Sequence, residues 1–141
     1  RQILLDGAHN ELAIQRLVDS LAETDHSKTI IVFGALIWHS LQPMMNLLKE
    51  LTPNLVAVKS RHPKAVSSQE IGMAAKSANI NVLAVDKSVS SGIKRAIESN
   101  DENQKILVTG SISVVAEARE WLLGIRPELY KNIQIVEKPG I

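Results

Sequence analysis

The sequence contains no cysteine, so a disulfide framework and a thiolate metal site are both excluded, and a reducing compartment is expected. An excess of charge is missing too. Sixteen basic residues against fifteen acidic ones leave a net charge of +1, no global reason to expect nucleic acid or an anionic membrane as partner. Any anion site must be local. No apolar run approaches the roughly 20 residues of a membrane span, and no basic-then-apolar leader precedes the first apolar run, so a cytoplasmic location is expected. The phosphate-gripping Gly-Lys-Ser or Gly-Lys-Thr of a kinase or ATPase occurs nowhere, and the first apolar run does not lead into the three-glycine turn that would admit a dinucleotide. Internal repeats and low-complexity segments are likewise lacking. At 141 residues, 45% hydrophobic and 22% charged, the chain suffices for one well-buried domain, and a monomer is expected.

Short apolar runs alternate with longer amphipathic segments, the pattern of βαβ units. Ile3 to Leu5 reads as a strand buried on both faces, Thr29 to Phe33, Leu55 to Val58, Val82 to Val85 and Lys105 to Thr109 as four more. Helices are expected over Asn10 to about Glu23, with Leu12, Ile14, Leu17, Val18 and Leu21 at helical spacing, and from the first turn at Pro43 to about Leu51. Three more are expected: one opened by Ser67 with Glu70 at capping-box spacing, one from Ser88 or Val89 to Ser99, and one from Ser113 to Leu123 with Val114, Val115, Ala118 and Leu122 inward. Asn100 to Gln104 is a solvated connection, and the tail from Gly124 is a loose extension or an irregular terminal strand. The fold class is therefore α/β: a Rossmann-like open, mainly parallel sheet of five or six strands with helices on both faces.

Open parallel sheets bind ligands at the carboxyl ends of their strands, so the residues immediately after each apolar run are the candidates for a site. After the first run come Asp6-Gly7-Ala8-His9-Asn10. Gly7 permits a sharp turn, and Asn10 suits the cap of the next helix. Asp6 is either a turn-former bonding its own downstream backbone or a carboxylate acceptor for a ligand's hydroxyls. His9 is either a helix-entry residue or a ligand contact, and no nearby histidine gives metal-ligand spacing, so no metal site is expected. Ser111, after the fifth strand, suits a helix cap and, with the free N–H groups of that helix, a carboxylate cradle. Arg61, His62 and Lys64 form a basic loop that is either solvated or a local anion site.

Leu4 to Asn10 resembles the signature opening the C-terminal domain of folylpolyglutamate and dihydrofolate synthases, members of the Mur ligase superfamily. Phe33-Gly34-Ala35-Leu36, Arg61-His62-Pro63-Lys64-Ala65 and Val108-Thr109-Gly110-Ser111 match further landmarks in order. The resemblance implies an ATP-dependent, ADP-forming ligase that adds glutamate to folate through an acyl phosphate. Residues 1–123 would be the glutamate ligase domain and 124–141 its extension. The N-terminal and central ATPase domains would lie outside this chain, an expectation that also fits a start at Arg1 directly before a strand. Those domains would be its partners and supply the triphosphate loop, most magnesium ligands and the pocket for folate or dihydropteroate. By the same resemblance Asp6 contacts the ribose of ATP, His9 places the incoming L-glutamate at the catalytic centre and Ser111 binds that amino acid. Asn10, His39, Arg61 and Lys64 are further candidates, and the isolated domain is expected to be inactive.

The chain departs from the family pattern in three places. Glu11 stands where many relatives have proline, and Lys64 keeps the charge of an arginine without its two-pronged donor. Trp38-His39-Ser40 replaces an Asp-Lys-Asp run, so His39 stands for a lysine able to pair with the amino acid's carboxylate, and Trp38 is free to cover the sheet edge. Three alternatives stay open: a peptidoglycan precursor ligase of the same superfamily, a non-catalytic nucleotide-binding α/β module and, last, a nicotinamide dehydrogenase domain.

Overall fold

The computed structural model describes residues 2–51, 53–99 and 104–126. The expected tail beyond Arg126 and most of the Asn100–Gln104 connection lie outside these residues. Among the described residues the chain runs β1 (Gln2–Leu5), α1 (Glu11–Leu21), β2 (Ile30–Phe33), α2 (Leu41–Leu48, prolonged by a 3₁₀ turn to Leu51), β3 (Asn54–Ala57), α3 (Ser68–Ser77), β4 (Asn81–Val85), α4 (Val89–Glu98), β5 (Lys105–Thr109) and α5 (Ile112–Leu123). The five strands form one sheet in the order β1-β5-β2-β3-β4, and every neighbouring pair is parallel.

The helices divide between the faces as the apolar pattern demands. Ile14, Leu17 and Val18 of α1, Met44, Met45 and Leu48 of α2, and Ile71 and Ala75 of α3 pack on one side with Ile31, Phe33 and Leu55. Val89, Ile93 and Ala96 of α4 and Val114 and Ala118 of α5 pack on the other with Ile30, Val32, Val56, Ile106 and Val108. Consecutive residues of β2 and β5 thus feed opposite cores, the reason those strands read as unbroken apolar runs.

Four expectations need correction. β1 is an edge strand paired only to β5, so Ile3, Leu4 and Leu5 are half-buried rather than covered on both faces. Leu12 lies 61% exposed despite its helical spacing, because the helix face turned to the sheet is already filled by Ile14, Leu17 and Val18. Helix α5 begins at Ile112, one residue before Ser113, since Ser111 supplies the cap. In its last turn Leu122 is exposed together with Trp121 and Leu123, so that turn is not covered by the core.

The order places the three strand ends that matter side by side. Because β5 inserts between β1 and β2 while α5 lies on the face opposite α1 and α2, successive loops at the carboxyl edge of β1, β5 and β2 leave toward opposite faces. A crevice opens where adjacent connections diverge in this way. The ends are laced together: Gly110 N–H donates to Ala8 O at 3.0 Å, Asp6 N–H to Val108 O at 2.9 Å, and Gly34 N–H to Thr109 O at 3.3 Å. Gly110 has φ +109°, and a Cβ there would lie 2.1 Å from Gly34 O, so the turn from β5 into α5 admits glycine alone.

Candidate functional site

The loop from β1 into α1 is built by its own short-range hydrogen bonds. Asp6 Oδ1 accepts from Ala8 N–H at 2.9 Å, the turn-forming bond open to an aspartate at a strand end. Its second oxygen remains for a hydroxyl donor. Asn10 Oδ1 accepts from Ala13 N–H at 2.8 Å and so caps α1. His9 Nδ1 lies 3.0 Å from Gly7 O. A carbonyl can only accept, so Nδ1 carries the proton, and in the neutral ring Nε2 presents a lone pair. Neutral His9 therefore offers an acceptor suited to an amine. Donation to a carboxylate requires a second proton on Nε2.

Asp6, Gly7, Ala8 and His9 line a shallow hollow of about 380 Å³ with Ala13, Arg16, Leu17 and Ser20 of α1. The structure thus brings Asp6 and His9 to one concavity. Arg16 joins them from the second turn of the helix, a cation that no sequence motif marks. Its position is recoverable from spacing: residues 9, 13, 16 and 20 fall on one side of a helix.

The loop after β2 reaches the same edge. His39 packs against His9 with ring centroids 5.4 Å apart, and Trp38 packs against His62 at 5.9 Å, both edge to face. Trp38, 63% exposed, lies at the surface rather than in the core. The pairing of His9 with His39 across thirty positions was invisible in the sequence, where no second histidine stands near His9.

Ser111 stands apart from the hollow. It is 1% exposed, its Oγ accepts from Val114 N–H at 3.1 Å, and it lies 2.8 Å from Ser113 Oγ, which in turn lies 2.9 Å from Ser60 Oγ. Arg61 is held by two acids of α5: its guanidinium lies 2.7 Å from Glu120 and 3.4 Å from Glu117. Glu117 also accepts from Arg61 N–H at 2.9 and 3.1 Å. Arg61 lines a second hollow, of about 630 Å³, with Trp121, Arg126 and residues at the start of α4. Lys64 is exposed, and its backbone rather than its ammonium ties the loops together, Lys64 O accepting from Ile37 N–H at 2.9 Å. Glu117 was missed because an acid in an amphipathic helix ordinarily faces water.

Among the described residues no cluster of three or more His, Cys, Asp or Glu side chains is suited to a metal ion. None of their helices is long and apolar enough to cross a membrane.

An open parallel sheet with divergent loops and a polar hollow at its carboxyl edge defines a ligand-binding α/β domain. Residues 1–112 match the family profile of the Mur ligase, glutamate ligase domain, and the chain belongs to that family. Over 118 residues it is 30% identical to a "Probable bifunctional folylpolyglutamate synthase/dihydropteroate synthase" of Halobacterium salinarum, covering 83% of this chain and 14% of that protein. Its fold matches E. coli FolC in complex with DHPP and ADP, with a TM-score of 0.77 at 20% identity, over 89% of this chain and 29% of that one. It also matches a bifunctional folylpolyglutamate synthase/dihydrofolate synthase with Mn, AMPPNP and L-glutamate bound, with a TM-score of 0.73 at 21% identity, over 86% of this chain and 29% of that one. The chain thus spans less than a third of the length of these proteins.

Proposed function

We propose that this domain holds the adenosine side of ATP and the incoming L-glutamate in an ADP-forming ligase that extends a folate carboxylate. The observation that carries this reading is the convergence of Asp6 and His9 on one hollow, with His39 closing against His9 from the neighbouring loop. Family membership and the names of the relatives support the same chemistry.

In this reading the free oxygen of Asp6 accepts from a ribose hydroxyl, while its other oxygen keeps the turn in place through Ala8. Gly7 O fixes the plane of His9, so Nε2 has one direction in which to meet the glutamate amine. Orientation of the amine toward an acyl phosphate lowers the barrier by removing rotational freedom before the reaction begins. As the amine attacks the acyl carbon, the new C–N bond replaces the bond to phosphate, and the Nε2 lone pair is placed to take the amine's proton. His39 adds a second ring at the position where a donor to the amino acid's carboxylate is needed. By the family resemblance, magnesium and the triphosphate grip are assigned to other domains of the polypeptide.

The test is acceptor dependence of ADP release by the full-length polypeptide carrying this domain. Release requiring both L-glutamate and a folate or dihydropteroate acceptor is expected, with no release from the 141-residue chain alone. Turnover with a peptidoglycan precursor in place of the folate would transfer the domain to that branch of the superfamily. Release from the isolated chain would contradict the division of labour.

A further inference from the structure

Glu117 is 4% exposed on α5, and a carboxylate is buried at such a position only when its oxygens are well satisfied. Here they accept twice from Arg61 N–H and lie 3.4 Å from the Arg61 guanidinium. A second buried link runs parallel to the first, from Ser113 Oγ to Ser60 Oγ at 2.9 Å. Both links seize the start of the loop that leaves β3, and neither touches the hollow at Asp6 and His9.

The far side of that loop is joined to the loop after β2. Ile37 N–H donates to Lys64 O and Val66 N–H to Ala35 O, each at 2.9 Å, and Leu36 pairs with Ala65 in an isolated antiparallel bridge. The His62 ring meets Trp38, next in the chain to His39, and His39 meets His9. From Glu117 a continuous set of contacts therefore crosses the β3 loop and reaches the ring of His9.

We infer that Glu117 is a positioning residue, which anchors the Ser60–Lys64 loop and through it sets where Trp38 and His39 stand against His9. Its use in catalysis rests on the proposed glutamate site. The anchoring itself does not. An apolar side chain at position 117 could fill the same volume against α5, but it would leave Arg61 N–H without its acceptor and the loop free to shift.

The four histidines of the chain make the inference testable by NMR of their ring signals in the 141-residue protein. His26 is the internal control: its ring is bonded to Thr24, Thr29 and Leu21 O, at the opposite edge of the sheet. Glu117→Met, which keeps the bulk and removes the acceptor, should displace the signals of His62, which meets the Trp38 ring, and of His39, which meets His9, and leave His26 unmoved. Ser113→Ala, which removes one hydroxyl and no bulk, should displace them in the same pattern and serves if the first variant fails to fold. Unmoved His62 and His39 signals, or displacement of all four histidines together, would overturn the inference. In the full-length polypeptide, Glu117→Met should raise KM for L-glutamate about three- to tenfold, as expected for one misplaced hydrogen bond, with KM for ATP unchanged. Equal changes in both constants, or none, would also overturn it. Full-length wild-type protein with no glutamate-dependent turnover would instead remove the proposed site while the histidine shifts stand.

Discussion

The imidazoles of His9 and His39 meet edge to face, with centroids 5.4 Å apart and ring planes inclined by 61°. They come from loops after β1 and β2, strands that are not neighbours in the sheet. The contact gives His39 a defined place beside His9, although it stands where the resembled family carries a lysine. His39→Ala in the full-length polypeptide should raise KM for L-glutamate about three- to tenfold, and His39→Lys should restore it by returning a cationic donor. Steady-state kinetics with glutamate varied would check this. Unchanged KM in both variants would reduce His39 to a cover for the sheet edge.

Asp6 has two tasks that separate by substitution. Asp6→Ala deletes the acceptor of Ala8 N–H and should lower stability by about 1–2 kcal/mol. Asp6→Asn keeps an oxygen in the same place and should melt close to wild type. Thermal melts of the two variants measure the difference.

The turn at Gly110 is required by geometry. Its φ of +109° and the 2.1 Å approach to Gly34 O predict that Gly110→Ala destabilises the domain by more than about 2 kcal/mol. Gly124 also has positive φ, +65°, but nothing lies within 4 Å of a Cβ there, so Gly124→Ala should cost only about 1 kcal/mol, the backbone term alone. Urea denaturation of both variants would test the contrast.

The parallel five-stranded fold was legible in the sequence because β2 and β5 are continuous apolar runs and because apolar residues recur at helical spacing in the segments between them. The position of β1 at the edge was not, since three apolar residues look the same whether one neighbour or two will pair with them. Within the site, the Asp6 turn and the caps by Asn10 and Ser111 could be read from local chemistry alone. The pairing of His9 with His39 and the burial of Glu117 could not, because both depend on which loops the strand order brings together.

Acid should expose a small contribution from Asp25. Its carboxyl is held below the ordinary range first by the backbone hydrogen bond from Ser27 N–H, at 2.9 Å, and then by the Ser27 side chain. A depressed carboxyl stabilises the fold above its unfolded pKa, and that contribution is lost as pH falls through the folded value. Asp25→Asn should therefore lower the melting temperature slightly at neutral pH and leave it unchanged in strong acid, where wild-type Asp25 is protonated in both states. Melts across that pH range would show whether the two proteins converge.

The most direct test of the central claim is steady-state ADP release by the full-length polypeptide, with ATP and L-glutamate varied separately in Asp6→Asn and His9→Ala. Asp6→Asn weakens an acceptor used alike in ground and transition states, so it should raise KM for ATP with turnover nearly unchanged. His9→Ala should raise KM for L-glutamate and cut turnover, by about ten- to a hundredfold if a charge-assisted contact is lost. Identical effects of the two substitutions on both substrates, or wild-type kinetics in both, would contradict the assignment of ribose to Asp6 and amino acid to His9.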